Sequence, residues 1–226
     1  MRVIARLLAA LGFAVVLGSA TTALADFSAC ESAYTTNDTK QQIALYTSCL
    51  TKGGLPIQDR AGAFNNRGIA YARVGEMDKA FNDFTWAIEA DPRWATAYAN
   101  RGEIYEQRGE WAKARADFEQ GILVGPSDVA IESYVHEVLL LAACPDASLR
   151  DGHKAVDLGL KLVKRSKRPE AHDSLAAAYA ETGQFEDAIR EESKAIELAG
   201  AKAPAGEIAM LQAHLERFRS GSPLRL

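Results

Sequence analysis

The sequence lacks the features of a membrane protein and of a nucleic-acid-binding protein. After residue 25 it contains no apolar run near the length of about 20 residues that a membrane-spanning helix needs. Basic residues are not in excess, since 26 Lys and Arg stand against 30 Asp and Glu and give a formal net charge of −4. A mildly acidic chain argues against a broad surface for nucleic acid or anionic lipid. We therefore expect no nucleic-acid partner, and no membrane association once the leader described below is removed.

The motifs of catalytic and metal sites are also missing. There is no phosphate-binding glycine loop and no G-x-S-x-G nucleophile motif. The four histidines are scattered over positions 136, 153, 172 and 214, without the close Cys/His spacing of a zinc motif. The sequence thus predicts no catalytic residues, no metal site, no cofactor and no enzyme activity.

Residues 1–25 have the pattern of a secretory signal peptide. Arg2 and Arg6 precede the apolar run "LLAALGFAVVLG", and "ALA" stands directly before Asp26. A basic start, an apolar middle and a small-x-small end are typical of a cleaved leader. The alternative is a membrane anchor, although the apolar run is short for that role. Cleavage after Ala25 predicts an exported protein, periplasmic or secreted, and changes the formal net charge from −4 to −6 by removing two arginines.

Cysteine is scarce, with only three residues in the chain. Cys30 and Cys49 lie on two predicted neighbouring helices, and export would allow them to form a disulfide. Closing a loop of about 20 residues contributes roughly 3 kcal/mol in the chain-entropy model. Cys144 is left over, and we interpret it as an inert thiol at the end of a helix, because no partner base is visible in the sequence.

An internal repeat of 34 residues is the strongest signal. "NRGIAY" begins at Asn66 and "NRGEIY" begins at Asn100. The matching positions of the first copy are Phe64, Gly68, Tyr71, Gly75, Ala80, Phe84, Ala87 and Pro92. Those of the second are Tyr98, Gly102, Tyr105, Gly109, Ala114, Phe118, Gly121 and Pro126. The pattern resembles the tetratricopeptide repeat, with arginine at 67 and 101 where that family usually has leucine.

The resemblance implies an all-α solenoid of antiparallel helical hairpins, a superhelix with terminal capping helices. In each hairpin we expect Gly68 to face Ala80, and Gly102 to face Ala114, at the closest approach of the helices. The aromatic side chains at 71, 84, 105 and 118 would fill the space between hairpins. Gly75 and Gly109 would end the first helices, and the prolines would follow the second.

A third, weaker copy carries Leu175, Ala176, Tyr179, Gly183 and Ala188. Glu192 stands where the second-helix aromatic residue would be, and Gly200 replaces the final proline. Gly183 follows Gly109 by 74 residues instead of 68, so the intervening hairpin should contain about six extra residues, at "CPDASLRDG".

These patterns predict seven segments. They are a signal peptide (1–25), an N-terminal capping hairpin (26–60), three repeats (61–94, 95–128 and 169–202), a degenerate hairpin with an extended turn (129–168), and a C-terminal capping helix with its tail (203–226). In the last segment Ile208, Leu211, Leu215 and Phe218 form one apolar helix face, which we expect to cover the core instead of protruding to bind a partner. The final "SGSPLRL" should be a loose tail.

The arginines at 67 and 101 need acceptors if they occupy packing positions. Asp83 and Asp117 each follow their arginine by 16 residues. We therefore predict two ion pairs inside the hairpins, Arg67–Asp83 and Arg101–Asp117, with ligand contact as the alternative role for the arginines.

The resemblance also implies a ligand-binding surface, because the first helix of each repeat lines the concave side of the superhelix. An asparagine there can bind a peptide backbone, donating to C=O and accepting from N–H. The candidate ligand-binding residues are Asn65, Asn66, Arg73, Asn100, Glu103 and Gln107. Asn66 and Asn100 can instead be ordinary polar surface residues. A carboxylate clamp for a peptide C-terminus is disfavoured, because its matching places hold Asn65, Ile69, Thr96 and Asp173.

The sequence therefore favours a non-enzymatic interaction module of the cell envelope that binds a protein or an extended peptide of unknown identity. A self-associating scaffold is the alternative, and the sequence leaves open whether the chain is a monomer or a homo-oligomer. An enzyme subunit that uses the 144–152 loop is a minor alternative.

Expression of the gene with its native leader should test the export prediction. We expect the mass of the intact purified protein to match a chain that begins at Asp26, because leader peptidases cut after small residues. A mass that includes residues 1–25 would contradict cleavage.

Overall fold

The computed structural model describes residues 29–52, 54–126, 129–200 and 203–226, and within these ranges the chain forms helices and turns with no strand. The predicted signal peptide lies outside the described residues. The fold is an all-helical repeat solenoid, as the sequence predicts. Two compact units meet in sequence at the Asp91–Pro92 bond, and each is described by itself below.

The first unit contains four helices in the described residues. They are α1 (29–35), α2 (Thr39–Lys52), α3 (Ile57–Arg73) and α4 (Met77–Ala90). Cys30 of α1 and Cys49 of α2 form the expected disulfide, with their Cα atoms 5.7 Å apart. Next to it, Ala33 and Tyr46 pack with Ala63 of α3 in one buried cluster. The disulfide thus joins the two short helices that cover one side of α3.

The second unit contains seven α-helices and one short 3₁₀ turn in its described residues. The α-helices are α5 (Ala95–Gln107), α6 (Trp111–Val124), α7 (Ile131–Ala143), α8 (Gly152–Arg165), α9 (Pro169–Glu181), α10 (Phe185–Ala199) and α11 (Ala205–Arg219). The turn at Ala147–Leu149 lies inside the predicted extended connection between α7 and α8. Asp151 then begins α8, where its carboxylate accepts from the backbone N–H of Lys154 at 3.0 Å.

Helix α9 is the centre of the second unit because it is rich in alanine. Ala176, Ala177, Ala178 and Ala180 are buried in one cluster with residues of α7, α8, α10 and α11. Small side chains let neighbouring helices approach from several sides, so α9 is buried over most of its surface. The first helices of the three repeats each end before a glycine in the left-handed region, with φ of 81° at Gly75, 71° at Gly109 and 77° at Gly183.

The helix crossing inside each hairpin differs from the expected one. A Cβ atom added to Gly68 would lie 2.6 Å from a ring carbon of Phe84, and one added to Gly102 would lie 2.5 Å from a ring carbon of Phe118. The predicted facing residues, Ala80 and Ala114, are fully buried but are not the nearest neighbours. A phenyl ring lying on the glycine backbone therefore sets how closely the two helices approach.

The ion pairs predicted from the 16-residue offset are present. Arg67 donates from Nε and Nη2 to the two carboxylate oxygens of Asp83 at 2.8 and 2.7 Å. Arg101 makes the same two bonds to Asp117, at 2.8 Å each. Each guanidinium also lies 5.6–5.9 Å from the centres of two aromatic rings of its own helix, which are those of Phe64 and Tyr71, and of Tyr98 and Tyr105. The arginines therefore have a structural role inside their hairpins.

The expectation of a loose C-terminal tail is wrong. Leu224 is buried in the core cluster of the second unit, and the N–H of Leu226 donates to the carbonyl of Ala143 at 3.0 Å. Arg225 forms a 2.6 Å ion pair with Glu181. The tail is ordered because Leu224 packs in an apolar site and Arg225 pairs with a carboxylate. The small and polar residues around them gave no sign of these contacts in the sequence. On α11, Leu211, Leu215 and Phe218 are buried, which agrees with a capping role.

The Asp83→Ala variant should destabilise the first unit by about 3–5 kcal/mol, because it leaves the guanidinium of Arg67 buried without its carboxylate. Asp83 is only 1% exposed. The measurement is urea unfolding monitored by circular dichroism. Glu216→Ala is the matched control, since it breaks an exposed pair with Arg219 and should cost less than about 1 kcal/mol. Equal stability of the two variants would contradict a structural role for the Arg67–Asp83 pair.

Candidate functional site

One candidate surface lies on α3, where Ile69 lies between two predicted ligand-binding residues, Asn66 and Arg73, at steps of three and four residues. Asn66, Ile69 and Arg73 therefore lie on one side of this helix. A cavity of about 170 Å³ opens there between α1, α2 and α3. It is lined by Tyr34, Gln42, Tyr46, Asn66, Ile69 and Arg73. The mixture of aromatic, amide and cationic groups suits an extended peptide, which presents both backbone amides and side chains.

The carboxamide of Asn66 is held in place by its neighbours. Its Oδ1 accepts from Asn65 at 3.4 Å, and its side chain hydrogen-bonds to Tyr46. Burial is the main reason that the pKa of Tyr46 is raised, while the bond to Asn66 lowers it. An amide has two N–H donors and an oxygen with two lone pairs, so two such bonds leave capacity for a ligand. Asn65, in contrast, is only 4% exposed, so the predicted ligand contact does not fit its position.

The equivalent surface of the second unit lies on α5. Asn100, Glu103 and Gln107 follow Asn66, Ile69 and Arg73 by 34 residues each. Asn100 and Glu103 are partly buried, and Gln107 is exposed. Glu103 is engaged within the protein, because its carboxylate lies 3.5 Å from Nε2 of His136 on α7.

His136 lies between two carboxylates of α5. Its Nδ1 is 2.9 Å from Glu106, and its ring stacks on Phe118 with centroids 4.8 Å apart. Burial lowers the pKa of His136, but the hydrogen bonds to Glu103 and Glu106 outweigh burial and raise it to about 10. The imidazolium therefore keeps its charge at neutral pH and fixes the carboxylate of Glu103 on the candidate surface.

The third repeat does not continue this surface. Ser174 occupies the place of Asn66 and Asn100, but it is fully buried, and its hydroxyl donates to the carbonyl of Ala171 at 3.0 Å. The neighbouring residues of α9 are buried as well. The asparagine positions that can meet a ligand are therefore confined to α3 and α5.

Sequence reasoning missed a larger cavity in the first unit, of about 580 Å³. It is lined by Leu50, Thr51, Ile57, Arg60, Phe64, Arg67, Trp86, Glu89 and Ala90. Trp86 is 45% exposed there, and its ring centroid lies 5.6 Å from that of Phe64. An aromatic residue on an amphipathic helix is usually a core residue, so only the observed exposure of Trp86 indicates a surface that can accept an apolar side chain.

Cys144 does not fit the role of a nucleophile in the 144–152 loop. The side chain of Cys144 is fully buried, and burial raises the pKa of its thiol. A thiol acts as a nucleophile through its thiolate, so both facts disfavour catalysis at this position. Arg150 bonds the carbonyl of Cys144 at 2.7 Å and Glu181 at 2.9 Å, which makes the loop a structural connection to α9.

One group of possible metal ligands converges within the described residues, although the sequence predicted none. Asp173 of α9, Glu192 of α10 and His214 of α11 each place one ligand atom within 4.8 Å of the other two. The three residues span 41 positions and belong to no spacing motif, which is why the sequence did not reveal them.

The charge on His136 should be measurable by two-dimensional NMR of the imidazole resonances. We expect no titration of His136 between pH 5 and 8, since its pKa of about 10 lies above that window. Because this pKa is raised above the unfolded value of about 6.5, the stabilisation is complete below pH 6.5 and is lost as the pH rises through about 10. Replacing Glu103 and Glu106 with glutamine should bring the titration below pH 7.

The comparisons with known proteins agree with this architecture. Residues 95–128 match the model of a family described as tetratricopeptide repeat. No curated protein matches the chain in sequence. In the described part of the chain, no helix combines the length and the apolar character needed to cross a membrane.

Three solved structures illustrate the shared fold. TTC0263 of Thermus thermophilus has a TM-score of 0.57 and 16% identity, over 87% of this chain and 98% of its own. A MamA fragment of Desulfovibrio magneticus has a TM-score of 0.60 and 15% identity, over 81% and 98% of the two chains. YrrB, described as a TPR protein with an unusual peptide-binding site, has a TM-score of 0.54 and 18% identity, over 78% and 86%. Residues 95–128 thus form a tetratricopeptide repeat, and the chain shares the fold of these tetratricopeptide-repeat structures.

Proposed function

We propose that this protein is an exported binding module that holds an extended peptide segment of a partner protein on the face of α3 in its first unit, and that the face of α5 in the second unit is an equivalent binding surface. Tetratricopeptide-repeat proteins generally act as interaction modules without enzymatic activity. The observation that carries the proposal is the cavity beside Asn66, Ile69 and Arg73, which the protein's own side chains border but do not fill. The peptide-binding site named for YrrB is consistent with this role.

Asn66 is the residue that we assign to the peptide backbone. Its bonds to Asn65 and Tyr46 fix the amide plane before a ligand arrives. A group that is already ordered loses little conformational freedom on binding, so more of the interaction energy appears as affinity. Arg73 is exposed at the edge of the same cavity and can attract an acidic side chain of the ligand.

Asn100 has the equivalent position on α5, but its surroundings carry the opposite charge. Glu103 stands where α3 has Ile69, and Gln107 stands where α3 has Arg73. The α5 face therefore favours a neutral or basic ligand segment, whereas the α3 face favours an apolar or acidic one. This difference would give the two faces preferences for different ligands.

Export is supported by the signal-like residues 1–25 and by the Cys30–Cys49 disulfide, since disulfides form and persist in oxidising compartments. We therefore assign the protein to the periplasm or the secreted fraction, with its partner in the same compartment.

A displayed library of random peptides provides ligands with which to test the role of Asn66. For a peptide that binds the α3 face, Asn66→Ala should weaken binding about fivefold, the equivalent of roughly 1 kcal/mol for a lost hydrogen bond. For a peptide that binds the α5 face, Asn100→Ala should have the same effect. Calorimetry gives the affinities, and Leu123→Ala, at an exposed position of α6, is the control.

The contact between Asn66 and the peptide backbone can be tested by a double-variant cycle that combines a change in the protein with a change in the peptide. Methylating one peptide N–H after another should identify an amide whose loss weakens binding to the unmodified protein but not to Asn66→Ala. Binding that is insensitive to Asn66→Ala, Asn100→Ala and Arg73→Ala alike would overturn the proposed site. Light scattering in parallel distinguishes the alternative of a self-associating scaffold.

A further inference from the structure

We propose that Asp173, Glu192 and His214 form a binding site for a divalent transition-metal ion, with Zn²⁺ as the best-suited ion, and that this ion ties α11 to the third repeat. The site is independent of the proposed peptide binding. It is built from three different helices, α9, α10 and α11, that pack within the second unit.

The geometry brings the three donors close to one point. Oδ1 of Asp173 lies 2.8 Å from Nδ1 of His214, and that nitrogen lies 4.0 Å from Oε1 of Glu192. Donors around a tetrahedral zinc ion at about 2.0–2.2 Å are about 3.3 Å from one another. The observed separations lie on both sides of that value, so small side-chain rotations suffice to enclose an ion.

The second observation is the state of Glu192. Its side chain is fully buried, and neither carboxylate oxygen has a hydrogen-bond partner among the described residues. Burying a carboxylate without a partner is costly, and proteins resolve the cost by pairing the group, by protonating it or by coordinating a metal ion. Glu192 faces another acid, Asp173, and His214 is the one basic side chain of this cluster.

Protonation is the competing explanation. Burial, then the nearby carboxylate of Asp173, raises the pKa of Glu192. A proton shared between the two carboxylates would satisfy Glu192 in the absence of metal, and an arriving ion would have to displace it. The two explanations make different predictions for a glutamine at this position, because an amide keeps the shape and the donor of a protonated acid but loses the anionic ligand.

The position of Glu192 in the repeat adds to the argument. It occupies the place of Phe84 and Phe118, whose rings lie on the glycine of the opposite helix. A phenylalanine there would complete an apolar helix crossing, whereas glutamate directs two oxygens into it. His214 comes from α11, the capping helix, so the ligand set is complete only when α11 is docked on the repeat.

The other buried histidines do not offer such a set. His136 has carboxylates on both ring nitrogens, Glu106 at Nδ1 and Glu103 at Nε2, and these lie on different sides of the ring, where one ion cannot reach both. His172 pairs with the carboxylate of Glu191, at 2.8 Å. Among the described histidines, only His214 has two carboxylates close to the same ring nitrogen.

The donor types select the ion. An imidazole nitrogen favours zinc and its neighbours in the first transition series over calcium and magnesium. Calcium takes six to eight oxygen ligands, and three protein donors supply too few for it. Three protein ligands leave a fourth tetrahedral position for water, which can reach the site because the side chain of His214 is 23% exposed.

The test uses the purified chain after removal of metal with a chelator. Titration with Zn²⁺ in a calorimeter should show one ion bound per chain, and the melting temperature should rise with zinc. Asp173→Asn, Glu192→Gln and His214→Gln should each weaken zinc binding by about 100-fold or more, since even the loss of an outer-shell partner costs about 10–100-fold. His153→Gln is the control and should leave binding unchanged, because His153 is exposed and lies outside the cluster.

Glu192→Gln separates the two explanations in a single comparison. In metal-free buffer it should be as stable as the unmodified chain, and zinc should stabilise only the unmodified chain. NMR of that chain provides a readout without any variant: zinc should shift the imidazole resonances of His214 and leave those of His153 in place. Absence of a zinc-dependent change at His214, or zinc binding that survives Glu192→Gln, would overturn the proposal in favour of the shared proton.

Discussion

The closeness of a phenyl ring to a glycine of the opposite helix is the constraint on which the first two repeats depend. Phe84 lies on Gly68, and Phe118 lies on Gly102, with no room for a Cβ atom between them. This contact sets the helix separation at which the residues just before the glycine and the phenylalanine can pair. These pairs are Arg67 with Asp83 and Arg101 with Asp117, and each pair forms two short hydrogen bonds. An apolar contact thus fixes the geometry that a buried ion pair requires. Separating the helices would break this ion pair, which carries a high free-energy cost.

The third repeat has different residues at the same helix crossing, that of α9 with α10. Ala176 and Glu192 replace the glycine and the phenylalanine, and both are fully buried. Leu175 and Glu191 replace the arginine and the aspartate, so Glu191 bonds His172 instead, at 2.8 Å. The crossing has lost its ring and its arginine and has gained one acid, Glu192, beside the acid that it keeps, Glu191. The histidines near these two acids are His214 and His172. His214 belongs to α11, which therefore contributes a polar side chain as well as an apolar face.

Sequence reasoning recovered what depends on the repeat period and on local chemistry. The hairpins, the terminating glycines, the extended turn after α7, the disulfide and both arginine pairs all follow from spacing along one or two helices. It failed where the outcome depends on the direction of a side chain around its helix or on segments far apart in sequence. Asn65 is buried although its neighbour Asn66 is not, because adjacent residues point about 100° apart around a helix of 3.6 residues per turn. The tail and the cluster at Asp173 required tertiary packing that no spacing rule contains.

The three residues of the N-R-G motif have three different roles, because consecutive residues of a helix point to different sides. On α3, Asn66 borders the cavity beside α2, Arg67 reaches Asp83 on α4, and Gly68 lies under the ring of Phe84. The ligand surface and the structural core of the hairpin are therefore separated by direction around one turn. In α9 the corresponding residues are Ser174, Leu175 and Ala176, all buried. The third repeat lacks both the ion pair and the accessible amide, since α7, α8 and α10 pack around α9, the helix that would carry the amide. The proposed ligand binding by the asparagine positions and the attachment of the capping helix thus involve different repeats, so that substitutions in one can leave the other intact.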